Sequence, residues 1–119
     1  MKEYPKFDFE GVSYDFNFYD DSVNLYAVKN ALSGIMVSQL IPAANDYVAL
    51  TGFSDFMAKR ASEGDKEIYQ LLCLGTLNIE RPEIVDTERQ IIFDSRNDLS
   101  KFLESAKTFM LSWADPDGE

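Results

Sequence analysis

The side chains of this sequence that could do chemistry are almost all carboxylates. Twenty-one Asp and Glu residues stand against eleven Lys and Arg, one cysteine and no histidine. Without histidine the commonest general base is missing, and so are the Ser-His and Cys-His nucleophile pairs. One cysteine and no histidine also leave a structural zinc site without its usual ligands. Carboxylates alone could act as an acid and base pair or cleave glycosides. The acids are scattered along the chain, and no pair stands out by its spacing.

Two further chemistries are weighed on spacing. Asp94-Ser95-Arg96-Asn97-Asp98 offers oxygens in the manner of a cation loop. It lacks the central glycine and the twelfth-position glutamate of the calcium helix-loop-helix, so a helix cap is the better reading. Phosphate cradles need clustered glycines, whereas glycines here stand singly at positions 11, 34, 52, 64, 75 and 118. Cys73 lies in the apolar run QLLCLG. That setting suits a buried, inert thiol, since a reactive one needs exposure and nearby positive charge. The sequence therefore reads as non-enzymatic, with no metal site and no cofactor.

The elements that would position any functional residue begin with an aromatic hairpin. Phe7, Phe9, Val12, Tyr14, Phe16 and Phe18 alternate with Asp8, Glu10, Ser13, Asp15 and Asn17, broken by Glu10-Gly11. A period of two with one apolar face predicts two antiparallel strands, and Gly11 supplies the positive φ of a two-residue turn. The register that keeps the aromatics together sets Phe7 opposite Tyr14 and Phe9 opposite Val12. Asp20-Asp21-Ser22 reads as the N-cap of a helix over about 23–32, with Leu25, Val28 and Leu32 on one face.

Residues 35–41 are open between helix and strand, with helix favoured. Pro42 reads as the start of another helix carrying Tyr47, Leu50, Phe53 and Met57, and Gly64 as its stop. A third helix is expected from Asp65, with Ile68, Leu71 and Leu72 inward. Residues 76–80 and 89–93 look extended, separated by the loop signal Arg81-Pro82. Ser95 and Asp98 form a candidate capping box. The final helix carries Leu99, Phe102, Leu103, Ala106, Phe109, Met110 and Trp113 on one stripe.

The expected fold is α+β: an N-terminal antiparallel hairpin, extended by one or two later strands, packed on three to four helices. Residues 1–113 form one domain and 114–119 an acidic tail that frays. The N-terminus MKEYPKFDF has no leader-like apolar core, and no stretch suits a membrane span, so a cytoplasmic protein is expected.

The net charge of −10 repels nucleic acid and anionic lipid and favours a basic protein partner. Aromatics make good anchors at such interfaces, and complementary charge speeds association. The first functional expectation is therefore a stoichiometric acidic binding protein of the inhibitor, immunity or antidefence type. Its candidate contacts are Asp15, Tyr19, Asp20 and Asp21. The alternative is a phage or secretion-system assembly chaperone or adaptor. Its basis is the charge-poor span Asn30–Ala58, where only Asp46 and Asp55 are charged. In the adaptor reading this span is an apolar helical surface, and in the plainer one it is buried. A homo-oligomer is what the adaptor reading predicts, whereas a monomer suits the acidic inhibitor.

Overall fold

The hairpin forms in the expected register. The computed structural model describes residues 5–113, without the side chains of residues 86–90 and 113. Strand β1 (Phe7–Phe9) pairs antiparallel with β2 (Val12–Tyr14), Phe7 opposite Tyr14 and Phe9 opposite Val12. Glu10 and Gly11 both take positive φ, 50° and 83°, as a tight hairpin turn of matching twist requires. The buried alternation runs one step beyond the pairing, to the fully buried Phe16, and stops at Phe18, which is exposed.

The hairpin covers a four-stranded antiparallel sheet with the order β4-β3-β5-β6. Its strands are β3 (Ser22–Asn30), β4 (Ile41–Ala43), β5 (Tyr69–Asn78) and β6 (Glu83–Asp94). Two helices complete the fold among the described residues, α1 (Asp46–Ser62) and α2 (Leu99–Trp113). The expectation of three to four helices is therefore corrected. The protein is α+β, but sheet-dominated.

Both missing helices are strands with apolar residues on both faces. In β3, Tyr26 and Val28 join the main core while Leu25 and Ala27 are buried on the opposite face. In β5, Tyr69, Leu71 and Cys73 join the core, and Leu72 is buried outside it. A strand apolar on both faces loses its alternation and can imitate helical spacing. Asp20-Asp21-Ser22 consequently leads into a strand and caps no helix. Residues 35–41, where helix was favoured, carry a bridge between Lys29 and Met36 and the first residue of β4.

Pro42 begins no helix either; it lies in the edge strand β4 opposite Leu25. Its place there follows from the pleat. Ile79 donates its amide to the Asp21 carbonyl, so alternate β3 residues, Val23 and Leu25, turn their backbone groups to β5. Leu25 therefore asks nothing of Pro42, and the missing N–H costs no ladder bond.

The helix ends obey local chemistry. Asn45 caps α1 by accepting from the Val48 amide, and Gly64 ends it with φ 83°. Asp98 caps α2 by accepting from the Lys101 amide. Ser95 takes no part in that cap; its hydroxyl accepts from the Tyr69 amide, binding the end of β6 to the start of β5. The expected stripe of α2 faces the core, with Phe102 and Ala106 fully buried and Leu99, Leu103, Phe109 and Met110 packed around them. The expected fraying of 114–119 and the Trp113 side chain lie outside the described residues.

The sheet, through Phe93, and the hairpin meet α2 at Phe102. Its ring lies 4.7 Å from Tyr14, 5.1 Å from Phe9, 5.3 Å from Phe93 and 5.7 Å from Phe7, all edge-on. Such contacts add to the free energy of burial. Phe102→Ala should lower stability by about 3–5 kcal/mol in urea unfolding. A loss below about 1 kcal/mol would show that the hairpin is not packed through this ring.

Candidate functional site

The segment leaving the hairpin carries all four residues singled out from the sequence, and it is pinned at its start. Asp15 donates its amide to the Asp46 carboxylate (2.8 Å), and its carbonyl accepts from the Asp46 amide (3.0 Å). Asp46 is the first residue of α1, and its other oxygen accepts from the Tyr26 hydroxyl of β3 (2.6 Å). Tyr26 in turn accepts from the Asn24 amide, and Asn24 accepts from the Thr76 hydroxyl of β5. The next residue, Phe16, passes its carbonyl to the Asn45 amide side chain. One polar chain thus joins the hairpin exit, the helix start and two strands.

The two carboxylates in this chain are pushed in opposite directions. Burial drives the Asp46 carboxyl up, against the bonds from the Asp15 amide and Tyr26, and the Asp15 charge adds to the rise. Burial also acts to raise Asp15. The Asn17 amide, the Tyr19 hydroxyl and Lys6 outweigh it and hold Asp15 below the usual carboxylate range. Burial, more than the Asp46 charge, drives the Tyr26 hydroxyl far above its ordinary value. A carboxylate pair set apart in this way resembles an acid–base pair. Here, however, both Asp46 oxygens accept bonds from the protein itself, so the arrangement reads as a structural lock.

A cavity of about 270 Å³ lies elsewhere, between the hairpin and the end of β6. Phe9, Val12, Tyr14, Ile91, Phe93 and Asp94 are among its lining residues. Tyr14 closes one wall by donating to the Ile92 carbonyl at 2.6 Å, and burial lifts its hydroxyl to about 12. The Arg96 guanidinium bonds Asp94 and holds it far below the usual range. No group of His, Cys, Asp and Glu among the described residues is arranged to hold a metal ion.

The four sequence candidates divide in two. Asp15 and Tyr19 are joined by a hydrogen bond of 2.8 Å, with Lys6 on the same Asp15 oxygen at 3.3 Å. Asp15 is therefore occupied in holding Tyr19. Asp20 and Asp21 are exposed at the entry to β3. There the sheet brings up a partner that sequence reasoning missed, the turn between β5 and β6. Ile79 donates to the Asp21 carbonyl (2.8 Å), Ser22 pairs with Asn78, and Asn78 pairs with Glu83.

Four carboxylates, Asp20, Asp21, Glu80 and Glu83, therefore gather at one end of the sheet, all exposed. Beside them along the chain stand Phe18 (56% exposed), Tyr19 (47%), Ile79 (55%) and Ile84 (58%). Arg81 is the base in the turn. The ion pairs among the described residues, Lys6–Asp15, Arg60–Asp65 and Arg96–Asp94, leave these four acids out. The signal available in the sequence was Ile79 standing in a proline-marked turn between polar and acidic neighbours.

The charge-poor span Asn30–Ala58 is not a helical surface. It holds the end of β3, a loop, β4 and most of α1. Ala49, Leu50 and Phe53 are buried, while Leu32, Ile35, Leu40, Ile41 and Val48 are exposed. No helix among the described residues is long and apolar enough to cross a membrane.

The lock makes a pH-dependent prediction. Tyr26→Phe removes a donor from the buried Asp46 carboxylate and should destabilise by about 1–3 kcal/mol near neutral pH. A carboxyl whose folded value is raised contributes stability below its unfolded value and loses it as pH rises through the folded one. Losing the Tyr26 bond raises that folded value further, so the penalty should grow from mild acid to neutral pH. Urea midpoints measured across that range check it, and a pH-independent penalty contradicts it. No protein-family model, curated protein or solved structure matches this chain.

Proposed function

We propose that this chain is a non-enzymatic acidic binding domain that acts stoichiometrically on a basic protein partner, in the manner of an inhibitor, immunity or antidefence protein. The observation that carries the reading is the sheet end just described. Exposed Phe18, Tyr19 and Ile79 sit among Asp20, Asp21, Glu80 and Glu83. Aromatic and aliphatic anchors ringed by one sign of charge suit a partner whose own apolar contact is ringed by Lys and Arg. The net charge of −10 adds long-range attraction for such a surface and repels phosphate, which argues against nucleic acid.

Asp15 supports this surface and is not itself a contact. It holds Tyr19 by its hydroxyl, and its backbone bonds to Asp46 fix where the segment leaves the hairpin. Pre-fixing an aromatic anchor reduces the entropy lost on binding.

The test compares wild-type protein with a variant carrying Asp20→Asn, Asp21→Asn, Glu80→Gln and Glu83→Gln. Each is immobilised and exposed to cell lysate in low and high salt, and retained proteins are purified and titrated back. The expected result is a basic protein that binds one to one and is released by salt. Its association should be at least about tenfold slower with the variant. Retention indifferent to both salt and neutralisation would contradict the proposal.

A further inference from the structure

The outer edge of β6 lies beside the acidic sheet end, and its two ends differ. In the sheet order β6 is an edge strand, paired among the described residues with β5. Its C-terminal half is blunted. The register shifts there so that Ile92 and Phe93 both enter the core, and the Tyr14 hydroxyl occupies the Ile92 carbonyl. Bulges and covering groups of this kind prevent strand pairing. The first three residues, Glu83–Val85, are exposed, and no described strand lies on their outer side.

The pleat shows which backbone groups these residues present. Because Ile79, just after β5, bonds Asp21, just before β3, Leu77 of β5 turns to β3, and Asn78 and Thr76 turn to β6. The partners of Asn78 and Thr76 are Glu83 and Val85. Those two residues therefore bond inward, and the N–H and C=O of Ile84 point outward. The side chain of Ile84, opposite Leu77, is 58% exposed. An outward-facing peptide group with an exposed apolar side chain at the end of a sheet is a template for one more strand.

Charge selects the occupant. Glu83 is on this edge and Glu80 is in the turn leading into it, while Asp20 and Asp21 stand two strands inward at the same end of the sheet. A second copy of this edge would bring the same carboxylates together, and like charges opposite each other are destabilising. A strand of opposite charge meets no such cost. We infer that the partner docks by adding an extended, lysine- or arginine-bearing segment as a fifth strand along Glu83–Val85. The added strand bonds the Ile84 backbone and sets its basic side chains nearest Glu83 and Glu80, with Asp20 and Asp21 adding attraction from two strands further in. This inference rests on the basic-partner reading and specifies how the partner is held.

The test uses a short synthetic peptide alternating lysine and valine, and the same peptide N-methylated at alternate amides on its pairing edge. Binding is read by fluorescence anisotropy in low salt against wild-type protein, Ile84→Pro and Ile84→Ala. Proline is tolerated on a strand edge whose N–H faces outward, so Ile84→Pro deletes the docking amide and spares the β5–β6 ladder. Ile84→Ala keeps the amide.

The unmodified peptide should bind wild-type protein. Affinity should fall about tenfold with Ile84→Pro and about tenfold with the N-methylated peptide, and by much less with Ile84→Ala. Should Ile84→Pro lose its native circular dichroism, the N-methylated peptide on wild-type protein decides the matter. Equal binding of both peptides overturns strand addition, as does no binding of the unmodified one. If binding is equal but still lost on neutralising Asp20, Asp21, Glu80 and Glu83, strand addition falls while the basic-partner reading stands.

Discussion

The Asp46 carboxylate ties three parts of the chain to one point. It stands at the first turn of α1, takes the amide of Asp15 from the hairpin exit, and takes the hydroxyl of Tyr26 from β3. A carboxylate suits the start of a helix, where backbone N–H groups are unpaired and the helix dipole is positive. The cost is that it is buried, which raises its pKa and makes it depend on its donors. With the donors in place, the segment Asp15–Asp21 has a fixed departure point. Phe16 turns inward, and Phe18 and Tyr19 remain outside.

This junction connects the fold to the proposed function. The aromatic core around Phe102 holds the hairpin and Phe16 against α2 and the sheet, but it does not include the residues beyond Phe16. The polar chain from Asp15 through Asp46, Tyr26 and Asn24 to Thr76 sets their course. It delivers Asp20 and Asp21 to the strand ends where the β5–β6 turn already presents Ile79, Glu80 and Glu83. Apolar packing supplies most of the stability and the polar chain supplies direction. Such a division is common where buried hydrogen bonds specify a unique arrangement.

Legibility in the sequence followed how many faces each element buries. The hairpin and α2 each bury one face, so their periods of two and 3.6 survive in the residue order. The Glu10-Gly11 turn, the Phe7–Tyr14 register and the Phe102–Ala106 stripe were readable for that reason. β3 and β5 bury residues on both faces, and their patterns collapse into continuous apolar runs. In β3 the spacing of Leu25, Val28 and Leu32 then matched a helix by coincidence, and Asp20-Asp21-Ser22 resembled its cap. Two faces and a bulge near Leu74 hid β5 in the same way. Within the site, Asp15, Tyr19, Asp20 and Asp21 could be picked out from local composition. Their neighbours Glu80 and Glu83 could not, because about sixty residues separate them and only the sheet register joins them.

Amide chemical-shift mapping with a short lysine-rich peptide tests the central claim most directly. The account predicts perturbations confined to Phe18–Ser22 and Asn78–Val85, growing with peptide concentration and collapsing in high salt. Perturbations centred on the hairpin tip at Phe9–Val12 or along α1, or salt-resistant perturbations spread over the whole surface, would contradict it.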